Sequence, residues 1–79
     1  MNLQHLRYFM AVARTGGFTP AAREMNVTQP TVSSGISELE RVLNTQLFNR
    51  DSRHVELTGE GRLLMNYACL LYTSDAADE

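Results

Sequence analysis

The chain has 79 residues, enough for one small domain, and a core of that size gains from a partner or from further chain. At 43% hydrophobic and 20% charged it has the composition of a globular protein rather than a disordered one. Its net charge of −2 is unevenly placed: residues 1–72 hold seven arginines against six acids, and Asp75, Asp78 and Glu79 tip the balance. Global charge therefore neither favours nor excludes a nucleic-acid partner. No apolar run approaches the roughly 20 residues of a membrane span. Arg7 and His5 interrupt any signal-like stretch. Cys69 is the single cysteine, so an internal disulfide is excluded and a bacterial cytoplasm is the expected compartment.

Four helices and a hairpin follow in order. The first runs from Leu3 to Arg14, with Leu3, Leu6, Phe9 or Met10, and Ala13 recurring at helical spacing as its apolar face, and Gly16-Gly17 ends it. The second starts with Thr19 as its cap and Pro20 at its first position, and closes near Met25 on Asn26, which tolerates positive φ. The third has the clearest pattern. Thr28 caps it, Pro30 lies in the first turn, and Val32, Ile36, Leu39 and Leu43 form one apolar stripe at about 100° per residue. Asn44 stops it. The period then changes: Gln46–Arg50 and Arg53–Leu57 are short strands around Asp51-Ser52. Thr58 caps a fourth helix through Leu63, Leu64, Tyr67, Ala68 and Leu71, with Cys69 expected inside the core or, alternatively, exposed to its twin across a pairing interface.

Two short helices joined by a tight turn, the second with a single apolar stripe, make a helix-turn-helix. The face opposite the stripe carries Pro30, Ser34, Ser37 and Arg41, with Thr31 beside it and Ser33 on the flank. Small uncharged side chains let a helix approach base edges and thymine methyls. Gln29, at the helix start, can reach adenine or a phosphate. A merely solvated face is the competing reading, although such faces usually carry longer charged residues. No serine has a histidine and a carboxylate placed to activate it, and Gly16-Gly17 lacks a phosphate loop's lysine. His5 and His54 lack metal-ligand spacing, and no cofactor is expected.

Residues 1 to about 68 resemble the N-terminal domain of LysR-type transcriptional regulators. The resemblance rests on Leu6-Arg7-Tyr8-Phe9 with Ala11-Val12-Ala13, Phe18-Thr19 with Ala21-Ala22, and Thr28-Gln29-Pro30 with Val32-Ser33. Leu39-Glu40, Gln46-Leu47-Phe48 with Arg50, and Leu57-Thr58 with Gly61 complete it. It implies a mainly α winged helix-turn-helix: a three-helix core, a short β-hairpin wing and the start of a linker helix. The implied division is 1–58 for the DNA-binding domain (motif 18–37), 59–72 for the linker and dimerisation helix, and 73–79 as a tail.

By position, Gln29, Pro30, Thr31, Ser33, Ser34 and Ser37 would face double-stranded DNA. Arg50 and Arg53 would sit in the wing, on phosphate or in the minor groove. The resemblance further implies a cytoplasmic, nucleoid-associated homodimer paired through the linker helix, with its effector site in a domain this chain lacks. The chain departs from the family pattern at Ser34-Gly35, where a longer polar or basic pair is common. Gly35 inside a helix costs about 1 kcal/mol relative to alanine, and the sequence shows nothing that offsets it. The final ten or so residues show no such resemblance and are expected to be foreign to the gene. Two other readings stay open: a truncated interaction module that pairs without binding DNA, and a winged-helix domain of another regulator family.

Overall fold

The computed structural model describes residues 2–49 and 55–77, with side chains through Leu70. Helix α1 spans Leu3–Thr15, α2 Phe18–Met25, α3 Gln29–Leu43 and α4 Gly59–Ala77. Strands β1, Phe48–Asn49, and β2, Glu56–Leu57, pair antiparallel with Phe48 opposite Leu57. The mainly α winged architecture is the one expected, with shorter strands than the sequence suggests.

Helices α1, α2 and α3 pack against one another, and α4 lies against α1 and β2. Their shared core contains Leu6, Phe9 and Val12 of α1, Ala21 and Ala22 of α2, and Val32, Ile36 and Leu39 of α3. Phe48 closes it from the wing. Its ring meets Phe9 at 5.3 Å and Phe18 at 6.0 Å, tying the sheet to the first two helices.

Local chemistry accounts for most boundaries. Asn2 caps α1, its Oδ1 accepting from the Gln4 amide at 2.8 Å. Gly16 ends α1 at φ 83°, and Asn26 and Asn44 end α2 and α3 at φ 61° and 54°. The start of α2 differs from expectation. Its cap is the extended Gly17, and Thr19 and Pro20 lie inside the first turn, where a missing proline N–H still breaks no helical bond. Thr28 caps α3 in backbone only: its hydroxyl pairs with that of Thr31 at 2.8 Å rather than with an amide.

Thr58 does cap α4, its Oγ1 accepting from the Gly61 amide at 3.0 Å. The same residue donates from its backbone N–H to the Leu47 carbonyl, 3.0 Å, and from its hydroxyl to the Gln46 carbonyl, 2.5 Å. Glu40 accepts from the Leu47 amide at 2.8 Å. The α3–β1 joint and the β2–α4 joint are thus bonded to each other.

Three positions correct the expected core. Leu43 is exposed because it is the last residue of α3. Leu3, the first residue of α1, is also exposed. Cys69 is exposed as well, which removes the buried reading and leaves the alternative one, exposure to a second copy, open; the inward face of α4 is set by Gly61 and Ala68, with Leu64 half-buried.

Candidate nucleic-acid interface

Burying Val32, Ile36 and Leu39 fixes the rotation of α3 and turns its opposite face outward. Gln29, Pro30, Thr31, Ser34 and Ser37 are all exposed, and Ser33 is half-buried at the edge of the stripe. Six sequence-expected residues therefore share one end of one helix. Arg50 and Arg53 lie outside the described residues, as do Asp51 and His54.

From Gln29 through Ser37 the helix carries no ionisable side chain. Charge begins at Glu38. Its carboxylate binds the Arg41 guanidinium through two contacts, the longer being Nε to Oε1 at 3.2 Å. That hydrogen bond holds the Glu38 carboxyl below the usual carboxylate range, outweighing desolvation, which opposes it, with the Arg41 and His5 charges adding to the lowering. The arginine is raised for the reciprocal reason, the Glu38 hydrogen bond. Arg41, expected on the outward face, is there but is already neutralised.

Gly35 has a physical account that the sequence does not supply. It is buried where α3 crosses α1, and a Cβ there would come 2.7 Å from Tyr8 Cδ2 and 3.1 Å from His5 Cδ2. The missing side chain lets the two helices approach closely, and this packing offsets the lost helix propensity. It also brings the first turn of α1 beside the outward face of α3. Between them runs a groove with Gln4 and His5 on one wall, Thr31 and Ser34 on the other, and Tyr8 at its base. Gln4 and His5 are not residues that sequence reasoning places at the site. The available signal was a glycine in mid-helix together with an aromatic pair, His5 and Tyr8, one turn apart on α1.

Elsewhere on the surface, α4 presents Leu63, Tyr67 and Leu70, spaced four and three apart and exposed by 62%, 68% and 68%. They form a second apolar face, separate from the Gly61–Leu64–Ala68 face turned to the core.

The model of the bacterial regulatory helix-turn-helix proteins of the lysR family matches residues 3–62. The chain belongs to that family. It is 48% identical to the transcriptional regulator BudR of Klebsiella aerogenes, in an alignment covering 100% of this chain and 56% of that protein. With BudR of Raoultella terrigena the identity is 46%, over 100% of this chain and 28% of the relative. Both alignments run through the final ten residues. The chain thus spans about half, or less, of these LysR-family relatives. Among solved structures, the complex of the BenM DNA-binding domain with catB site 1 DNA superposes with a TM-score of 0.90 at 42% identity, covering 98% of this chain and 86% of that one.

Proposed function

We infer that the domain binds double-stranded DNA sequence-specifically and regulates transcription in the bacterial cytoplasm. The observation that carries this is the exposed, uncharged face from Gln29 to Ser37, held outward by the buried Val32–Ile36–Leu39 stripe. The likeness to a solved DNA complex supports it. In this reading Gln29, Pro30, Thr31, Ser33, Ser34 and Ser37 meet base edges and adjacent backbone in the major groove. Arg50 and Arg53, between the two strands in sequence, contact phosphate and supply affinity independent of sequence. Two copies pair through the Leu63–Tyr67–Leu70 face of α4, so that each presents one recognition helix to a half-site.

The test is selection of duplexes from a random pool, followed by anisotropy titration of the recovered sequence at several salt concentrations. One sequence should be enriched. Ser34→Ala or Ser33→Ala should change which bases are preferred. Arg53→Ala should weaken all duplexes alike and reduce the salt slope by about one phosphate contact. Recovery of no sequence above random background would overturn the reading.

A further inference from the structure

We propose that the groove between α1 and α3 seats a backbone phosphate of the bound duplex, with His5 as its donor from α1. This rests on the DNA-binding reading above and extends the contact surface beyond the recognition helix. A helix lying in a major groove about 12 Å wide is flanked on both sides by phosphates. The side of α3 that faces α1 is one of those flanks, and the groove shares Thr31 and Ser34 with the reading face, so it is continuous with that face.

Its chemistry suits an anion. The lining supplies the Thr31 and Ser34 hydroxyls, the Gln4 amide and the His5 imidazole, and no carboxylate lines it among the described residues. His5 is half-buried and stacked on Tyr8, with ring centroids 6.3 Å apart and an interplanar angle of 27°. No hydrogen bond holds either imidazole nitrogen among the described residues. Gln4 Nε2 donates to the Tyr8 hydroxyl at 3.3 Å, which steadies the groove wall. At Gly35 even a Cβ would press on Tyr8 and His5, so the close crossing that forms the groove depends on the glycine there. His5 thus adds a donor from the neighbouring helix to the two hydroxyls of α3.

The test uses the full chain, the duplex recovered by selection and a scrambled duplex of equal length. His5→Ala should weaken both about tenfold, the size expected for one hydrogen bond to a charged group. His5→Gln, which keeps a donor, should recover most of that loss. Ethylation interference on the selected duplex should show one phosphate that matters for the native chain and no longer matters for His5→Ala. Gln4→Glu places a carboxylate on the exposed groove wall, where the Tyr8 hydroxyl can donate to it in place of the lost amide bond. It should weaken binding at low salt, with the defect shrinking as salt screens the repulsion. Binding of His5→Ala within twofold of native, an unchanged ethylation pattern, or an unaffected Gln4→Glu protein would overturn the proposal while leaving the recognition-face reading intact. Failure of the native chain to select any duplex would instead overturn that reading, and this proposal with it.

Discussion

Helices α3 and α4 each bury one face and expose another, yet what they expose differs in kind. The free face of α3 is small and polar over Gln29–Ser37, while that of α4 carries Leu63, Tyr67 and Leu70. A polar face loses nothing in water and can wait for a polar partner. An apolar one gains about 25 cal/mol for each Å² it buries. The first therefore suits a ligand that is bound and released, and the second a lasting subunit contact. Their glycines differ too. Gly35 in α3 is crowded by side chains of α1, whereas Gly61 in α4 lies against backbone, where a Cβ would overlap the Leu47 carbonyl oxygen.

That contrast is sharpest in stability. Gly61→Ala should cost about 3 kcal/mol, near the upper end for overpacking, because the Leu47 carbonyl is held by Thr58 and cannot swing aside. Urea titration of both proteins measures it. A loss under 1 kcal/mol would mean that the joint between wing and α4 is softer than its hydrogen bonds indicate.

Pairing separates the two exposed faces next. Tyr67→Asp should weaken self-association by about 2 kcal/mol, the threshold for a dominant interface residue. Ser37→Ala on α3 should leave association unchanged. Sedimentation equilibrium across a concentration series distinguishes them, and equal effects would erase the distinction drawn between the helices. Cys69 sits well round α4 from Leu63 and Tyr67, so an oxidised sample should not trap the pair as a disulfide.

Gly35→Ala should be milder than Gly61→Ala, at about 1 to 2 kcal/mol. Overpacking against Tyr8 and His5 is partly offset by the better helix propensity of alanine, worth about 1 kcal/mol. Thermal unfolding checks it. Stabilisation by the substitution would show that α1 yields readily and that the close crossing is not required.

The architecture was legible because its signals are local. The spacing of Val32, Ile36 and Leu39 sets one stripe whatever lies opposite, and Gly16, Asn26 and Asn44 mark stops through their own backbone freedom. Thr58 likewise announces its helix. The sequence was silent wherever the cause lay elsewhere in the chain. Gly35 makes sense only beside His5 and Tyr8, which are distant in sequence. Leu43 continues the stripe by period but outruns the core. The sequence points to Thr19 as the α2 cap because Thr19-Pro20 is a stronger local signal than an extended Gly17 two residues earlier. Composition singles out Gln29–Ser37, whereas Gln4 and His5 come beside those residues only through the crossing of two helices.

The smallest expected effect lies where the reading face ends. Glu38 and Arg41 form an exposed ion pair, a class that contributes little to stability. Because the Glu38 carboxyl is held below its usual value in the folded chain, its stabilising share is present above the unfolded carboxylate pKa and lost as pH falls through the lower folded one. Glu38→Gln should therefore barely move the midpoint of unfolding at neutral pH, and the native chain should lose its slight advantage only in acid. Binding should respond more than folding does. Without its carboxylate, Arg41 becomes a free cation at the edge of an otherwise uncharged face, available to a phosphate. The salt slope for duplex binding should steepen by up to about 0.9, the value of one additional phosphate contact. An unchanged slope would mean that Arg41 lies too far along α3 to meet the duplex, and that the contact surface ends with Ser37.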